Sequence, residues 1–230
     1  MQDSVKEATA LPASVLPPEL SQNLATSLRL LLILTVLTIL PTIVIAMTSF
    51  TRIVIVLALL RQAMGTPTTP PAIVIVTLSL MLTGFVMRPT LEEFNRVALQ
   101  PYLAKEINEV EFLQRGIEPF KEFMLKNTRK RELKFFLELA GLKVNSPREI
   151  PLTVLIPAFL VSELTVAFQI VFVVYLPFLL IDIVVASILM SLGMMMLPPV
   201  MVSLPIKILL FIVVDGWELL IGSLVKSYNF

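Results

Sequence analysis

The 230-residue sequence contains no cysteine and no histidine. Their absence removes Ser-His and Cys-His nucleophiles, the usual metal ligands, disulfides and thiol redox chemistry together. Glycine is scarce too: there are seven, none in a GxGxxG or P-loop spacing, so nucleotide phosphates have no cradle. Charge is thin at 15%, against about 25% in an ordinary soluble domain. The 18 basic and 17 acidic residues leave a net charge of +1, which argues against nucleic-acid binding. What is abundant is apolar surface: 57% of residues are hydrophobic and the mean hydropathy is +0.90. A chain this size could not cover such a core with polar surface. The composition reads as a membrane protein, with no cofactor, no metal and no enzymatic chemistry expected.

The charges are gathered. Residues Arg88 to Glu149 hold 12 Lys/Arg and 10 Asp/Glu, 22 of the 35, so two apolar regions flank one charged middle. The fold class expected is all-α: membrane-associated helical hairpins, about four long apolar helices, with a small amphipathic helical middle domain. Residues 1–27, with Pro12, Pro17 and Pro18, read as a flexible polar arm. Met1 to Leu20 has neither the basic start nor the apolar stretch of a secretory signal, so the chain either needs none or is a processed form given a start Met. Residues 28–87 read as an apolar hairpin. Its first helix runs from Leu28 toward Gln62 with a kink at Pro41, ends at Gly65, and the chain turns through Thr66–Pro71. Residues 88–149 read as a charged soluble helical domain. Thr90-Leu91-Glu92-Glu93 has capping-box spacing, and Ile107, Val110, Leu113, Ile117, Phe120 and Met124 recur at helical intervals. The mixed-charge run Lys126–Lys134 is a solvated face. Ser146-Pro147-Arg148-Glu149 announces the second apolar hairpin, residues 150–230, either two long helices or four half-length ones broken near Pro177 and near Pro198-Pro199. Trp217 suits a membrane interface.

Three constellations carry functional weight. Met194, Met195 and Met196 cannot share one helix face, because successive residues rotate by about 100°. Pro198 biases Leu197 away from helix, so the triplet belongs at a helix end or loop. It either fills gaps between helices or, repeated around a ring, forms a soft apolar constriction. Glu163, Asp182 and Lys207 are the only charges between Leu152 and Val214. In an apolar setting each needs a partner. Two acids and one base suggest one structural pair, Glu163 with Lys207, within or between subunits, leaving Asp182 beside a cavity, helix end or polar neighbour. The alternative is a proton relay through Glu163 and Asp182 in an ion or solute transporter. A passive membrane scaffold is a third class. Arg52, in a polar belt with Thr48, Ser49 and Thr51, either snorkels toward headgroups or meets a neighbouring subunit.

Three stretches resemble one family in its own order: MTSFTRIVIVLALLRQAMGTPTTPP from Met47 to Pro71, PAFLVSELTVAFQIVF from Pro157 to Phe172, and PFLLIDIVVASILMSLGMMMLPPVMVSLPIKILLFIVVDGW from Pro177 to Trp217. They are similar to the FliP family of flagellar type III export-gate subunits, from about Leu28 to the C-terminus. The two proline turns look like the flagellar branch more than the injectisome branch. The resemblance implies a pentameric ring joined by FliQ-type and FliR-type subunits, aided in assembly by a FliO-type membrane protein. Unfolded flagellar proteins would pass through its centre, with Met194, Met195 and Met196 as gasket. It implies the bacterial inner membrane and flagellar basal body as location, with a periplasmic middle domain and much of the gate above the membrane plane. The family often has Lys where this chain has Thr165, and usually begins with a cleavable signal peptide.

Overall fold

Long apolar runs dictate helices, and a computed structural model describing residues 18–194 and 196–229 has no β-strand among those residues. Met195 and residues 1–17, most of the expected arm, lie outside them. The chain divides into two compact units, one reaching Val44 and one starting at Ile45.

Helix α1 (Pro18–Ala46) continues through Pro41 as one element. The run expected to reach Gln62 as one helix is interrupted at Met47–Ser49. Thr48 turns both its amide (3.2 Å) and its hydroxyl (2.8 Å) back onto the Ile45 carbonyl, which tightens and ends the helix. Helix α2 (Phe50–Ala63) places Ile53, Val56, Leu57 and Leu60 on one buried face. It ends as the sequence says it should. Gly65 is left-handed at φ 79°, its amide reaches Gln62 and the Thr66 amide reaches Arg61, a Schellman cap that a Cβ would strain. Helix α3 (Ala72–Val86) returns against α2.

The middle segment starts one residue later. Helix α4 (Arg88–Phe94) shares Met87 with the end of α3 at a bend of 60°. The Thr90 capping box is therefore not used: Thr90 lies inside α4, and Glu92 and Glu93 pair with Arg88 and Arg96 instead. A π turn over Asn95–Leu99 leads into the short α5 (Gln100–Leu103), where Pro101 has no N–H to give the Val97 carbonyl. Helix α6 (Glu109–Asn127) is capped by Asn108, whose Oδ1 accepts from the Glu111 amide at 2.9 Å, with Glu109 and Glu111 favourably placed in the first turn. Gly116 admits the Phe94 ring, which would stand 3.0 Å from a Cβ. Of the expected apolar face, Ile117, Phe120 and Met124 join the core, whereas Val110 and Leu113 stay exposed in the single chain. Helix α7 (Lys130–Leu139) and α6 both rest on α8.

Ser146 and Pro147 cap only a 3₁₀ turn over Pro147–Glu149; the helix proper, α8 (Leu152–Ser191), begins after Pro151. It runs 40 residues, straight past Pro177. The lost rung there is offset by packing, since Phe178, Val185 and Leu189 are buried on the far side of the proline and α9 lies alongside. Helix α9 (Pro199–Val213) bends 65° into α10 (Gly216–Lys226) through Asp215, left-handed at φ 51°. Among the described residues two helices, α1 from Ser27 and α8, are long and apolar enough to cross a membrane. The bent pairs α3 with α4–α5 and α9 with α10 pass the same test only together.

The α9–α10 corner gives a first prediction. A Cβ on Gly216 would lie 2.3 Å from Phe211 Cδ2, and that ring is held by Phe178 and edge-on Trp217. Gly216→Ala should cost about 1–3 kcal/mol by overpacking. Gly222→Ala, on the same helix with open space around it, should be neutral or mildly stabilising. Thermal melts of the detergent-solubilised protein check this; equal melting points for the two variants would refute it.

Candidate functional site

Four of the charges on the apolar helices, Arg52, Glu163, Asp182 and Lys207, form two clusters. In the first, Arg52 on α2 faces Glu163 on α8, both essentially fully buried. Arg52 Nε donates to Glu163 Oε2 at 3.0 Å and Nη2 donates to Oε1. Nη1 donates to the Ser227 carbonyl (2.9 Å) and hydroxyl (2.8 Å), and the guanidinium lies 3.8 Å above the Tyr228 ring. The single Tyr228 hydroxyl proton sits between Glu163 Oε2 (3.1 Å) and the Ser49 carbonyl (3.0 Å). Burial first, then the Glu163 carboxylate, push this phenol well above its ordinary pKa, so it remains a donor. Planar, bidentate arginine suits such a site better than lysine would.

In the second cluster, Lys207 Nζ on α9 donates to Asp182 Oδ2 on α8 at 2.6 Å and to the Ala63 carbonyl at 3.3 Å. Ser203 Oγ donates to Asp182 Oδ1 at 2.7 Å. Lys207 thus ties α8, α9 and the end of α2 together.

Within one chain, then, the expected pairing of Glu163 with Lys207 is not the one made. Glu163 belongs to Arg52, and Lys207 to Asp182. Glu163 and Asp182 lie 19 residues apart on one helix, about 28 Å along its axis, so one lysine cannot serve both. The sequence count went astray at Arg52, read as a headgroup or neighbour-seeking residue. With Arg52 included, two acids meet two bases. Tyr228, Ser227 and Ser203 were missed, and only the balance of two acids and two bases hinted that each acid had its own partner.

Met194 and Met196 stand at the turn between α8 and α9. Gly193, left-handed at φ 73°, closes α8: its amide reaches the Met190 carbonyl and the Met194 amide reaches Leu189. The chain then crosses Leu197 and Pro198 into α9. Met194 is 42% exposed and Met196 99% exposed, so neither fills a gap inside its own chain. Thr165 donates to the Val161 carbonyl and borders a shallow cavity with Arg129, Arg131, Glu132, Phe135 and Gln169. Among the described residues no three carboxylates gather as a metal site would require.

Apolar helices that hold Arg52 with Glu163 and Lys207 with Asp182 as hydrogen-bonded pairs, and that expose Met194 and Met196 between α8 and α9, define an all-α membrane protein. The comparisons narrow this further. The chain belongs to the FliP family, whose family model matches residues 33–224. Among similar proteins, the flagellar biosynthetic protein FliP of Aquifex aeolicus (strain VF5) is 56% identical over 210 residues, 90% of this chain and 88% of that protein. FliP of Bacillus subtilis (strain 168) is 51% identical over 90% of this chain and 94% of its own length. FliP of Rhizobium meliloti (strain 1021) is 44% identical over 96% and 92%.

Proposed function

We propose that the chain is a subunit of the flagellar type III protein export gate. Copies of it, five by the family resemblance, form a ring with FliQ-type and FliR-type subunits, assembled with help from a FliO-type protein in the bacterial inner membrane. The middle domain faces the periplasm. Unfolded flagellar proteins pass through the centre, and Met194, Met195 and Met196 narrow it. The observation that carries the reading is the methionine turn. Thioether side chains leave the chain's own core at a glycine-closed helix end, where copies around a ring would bring them together. Their flexibility lets such a neck dewet and block ions yet yield to varied substrates. The transporter reading has less support, because each acid is held by its own cation and the two lie about 28 Å apart along α8, beyond any direct proton hand-off.

The test is Met194→Ala, Met195→Ala and Met196→Ala together, measured by conductance and by native mass spectrometry of the same sample. A widened neck should hold water and leak ions with the oligomer intact, whereas Met→Leu at these positions should stay sealed and export less. Dissociation without leakage would mean that the methionines are mere packing, each lost one costing about 2–5 kcal/mol. An intact, sealed triple variant would reject the gate.

A further inference from the structure

We propose that residues Ser227–Asn229 are a latch that joins the middle domain to the helices carrying the methionine turn, with Asn127 as its catch; this rests on reading that turn as the gate.

Asn127 is the last residue of α6 and is buried. Its side-chain amide grips the main chain of Asn229 in both directions: Oδ1 accepts from the Asn229 amide at 2.9 Å and Nδ2 donates to the Asn229 carbonyl at 3.2 Å. The Asn127 Nδ2 also donates to the Phe123 carbonyl at 2.9 Å, which fixes the orientation of the carboxamide. Across the grip, Asn229 Nδ2 donates to the Lys126 carbonyl at 3.2 Å. One residue earlier, Tyr228 is 4% exposed, wedged between the Arg52 guanidinium and the stacked ring of Phe123. One residue earlier again, Ser227 takes two donors from Arg52. Three consecutive residues therefore hold α2, α6 and α8 at once.

The other end of this segment is covalent. It continues α10, which turns at Asp215 into α9, and α9 begins just after the methionine turn. A chain of fixed contacts runs from the middle domain through Asn127 and Asn229 to α10, α9 and the gate. Because Asn127 and the Asn229 peptide satisfy each other in a buried place, parting them leaves unpaired groups on both sides. The latch therefore opens as a unit, and while closed it passes displacements of the middle domain on to α10 instead of absorbing them. The recognition is of main chain, so it reads the position of residue 229 and not its side chain.

The assembled, full-length protein allows a direct test by amide hydrogen exchange over residues 227–229 and by resting ion conductance after reconstitution. Asn127→Ala should speed exchange at these amides about ten-fold, one hydrogen-bonded closure lost, and raise the resting leak. Asn229→Ala keeps the main-chain grip and loses only the Nδ2 bond to the Lys126 carbonyl, so it should change exchange and leak much less than Asn127→Ala. The chain has no cysteine, so Asn127→Cys with Asn229→Cys can be joined by a short bis-thiosulfonate bridge without background labelling. Reduced, this variant should leak; bridged, it should reseal, and since one sample is compared with itself misfolding cannot explain the difference. Unchanged exchange in Asn127→Ala, faster exchange with no added leak, or a bridge that does not alter the leak would each overturn the latch. Methionine-to-alanine variants that stay sealed while exchange at 227–229 remains slow would overturn the gate reading by itself.

Discussion

Arg52→Met should destabilise the helical core by about 3–5 kcal/mol, because it strands a fully buried Glu163 carboxylate with only the Tyr228 hydroxyl as partner. Glu163→Gln should also be costly, since the arginine loses its counter-charge but keeps the Ser227 acceptors. Arg52→Met with Glu163→Leu removes both charges, and replacing a buried pair by apolar side chains is often neutral. The double variant should therefore be more stable than Arg52→Met alone, which a double-mutant cycle would read as a large coupling energy. Tyr228→Phe removes one hydrogen-bonding group and should cost about 1 kcal/mol. The exposed pair Arg88–Glu92 is the control, whose loss should leave the melting point near wild type. Thermal or denaturant unfolding in detergent measures all of these. If Arg52→Met melts no lower than Arg88→Met, the buried cluster does not hold the fold.

Signals carried by neighbouring residues were readable from sequence, and signals carried by distant ones were not. Gly65 could be placed because a Schellman cap needs only a left-handed residue after a helix, and Thr66–Pro71 cannot continue one. The methionine turn could be placed because three adjacent residues cannot share a helix face and Pro198 biases Leu197 away from helix. Pro177 left two readings open, one long helix or two halves: it removes one rung, α8 continues through it, and buried Phe178 shows what holds it. The real break at Met47–Ser49 is set by the Thr48 hydroxyl, a polar signal inside a run judged by hydropathy. Periodicity identified the apolar face of α6 but could not say what would cover Val110 and Leu113. The candidate site divided in the same way. Four charges in apolar helices announced that partners must exist, but Arg52 and Glu163 are 111 residues apart in sequence, and Tyr228 a further 65 beyond. No spacing rule reaches that far.

Charge reversal at Lys207 should then distinguish the two possible pairings by sign. Lys207 is 3% exposed and bonded to Asp182, so Lys207→Glu sets two carboxylates against each other and leaves the Ala63 carbonyl without its donor. Loss of assembly is expected. Asp182 keeps Ser203 and is about a quarter exposed, so Lys207→Met, which introduces no repulsion, should be milder, about 1–3 kcal/mol. Adding Asp182→Lys to Lys207→Glu restores one cation and one anion in the same place, and much of the assembly should return. Adding Glu163→Lys to Lys207→Glu does the opposite. The new lysine faces Arg52, the new glutamate faces Asp182, and two buried like-charge contacts replace two ion pairs. That double variant should be worse than either single change, whether read as oligomer yield or as melting temperature. Recovery there would mean that Glu163 meets Lys207 of another copy in the ring, and the pairing within one chain would not survive assembly. A rescue confined to the Asp182 and Lys207 exchange would fix α8, α9 and the end of α2 as one clamped group, the support from which the methionine turn projects.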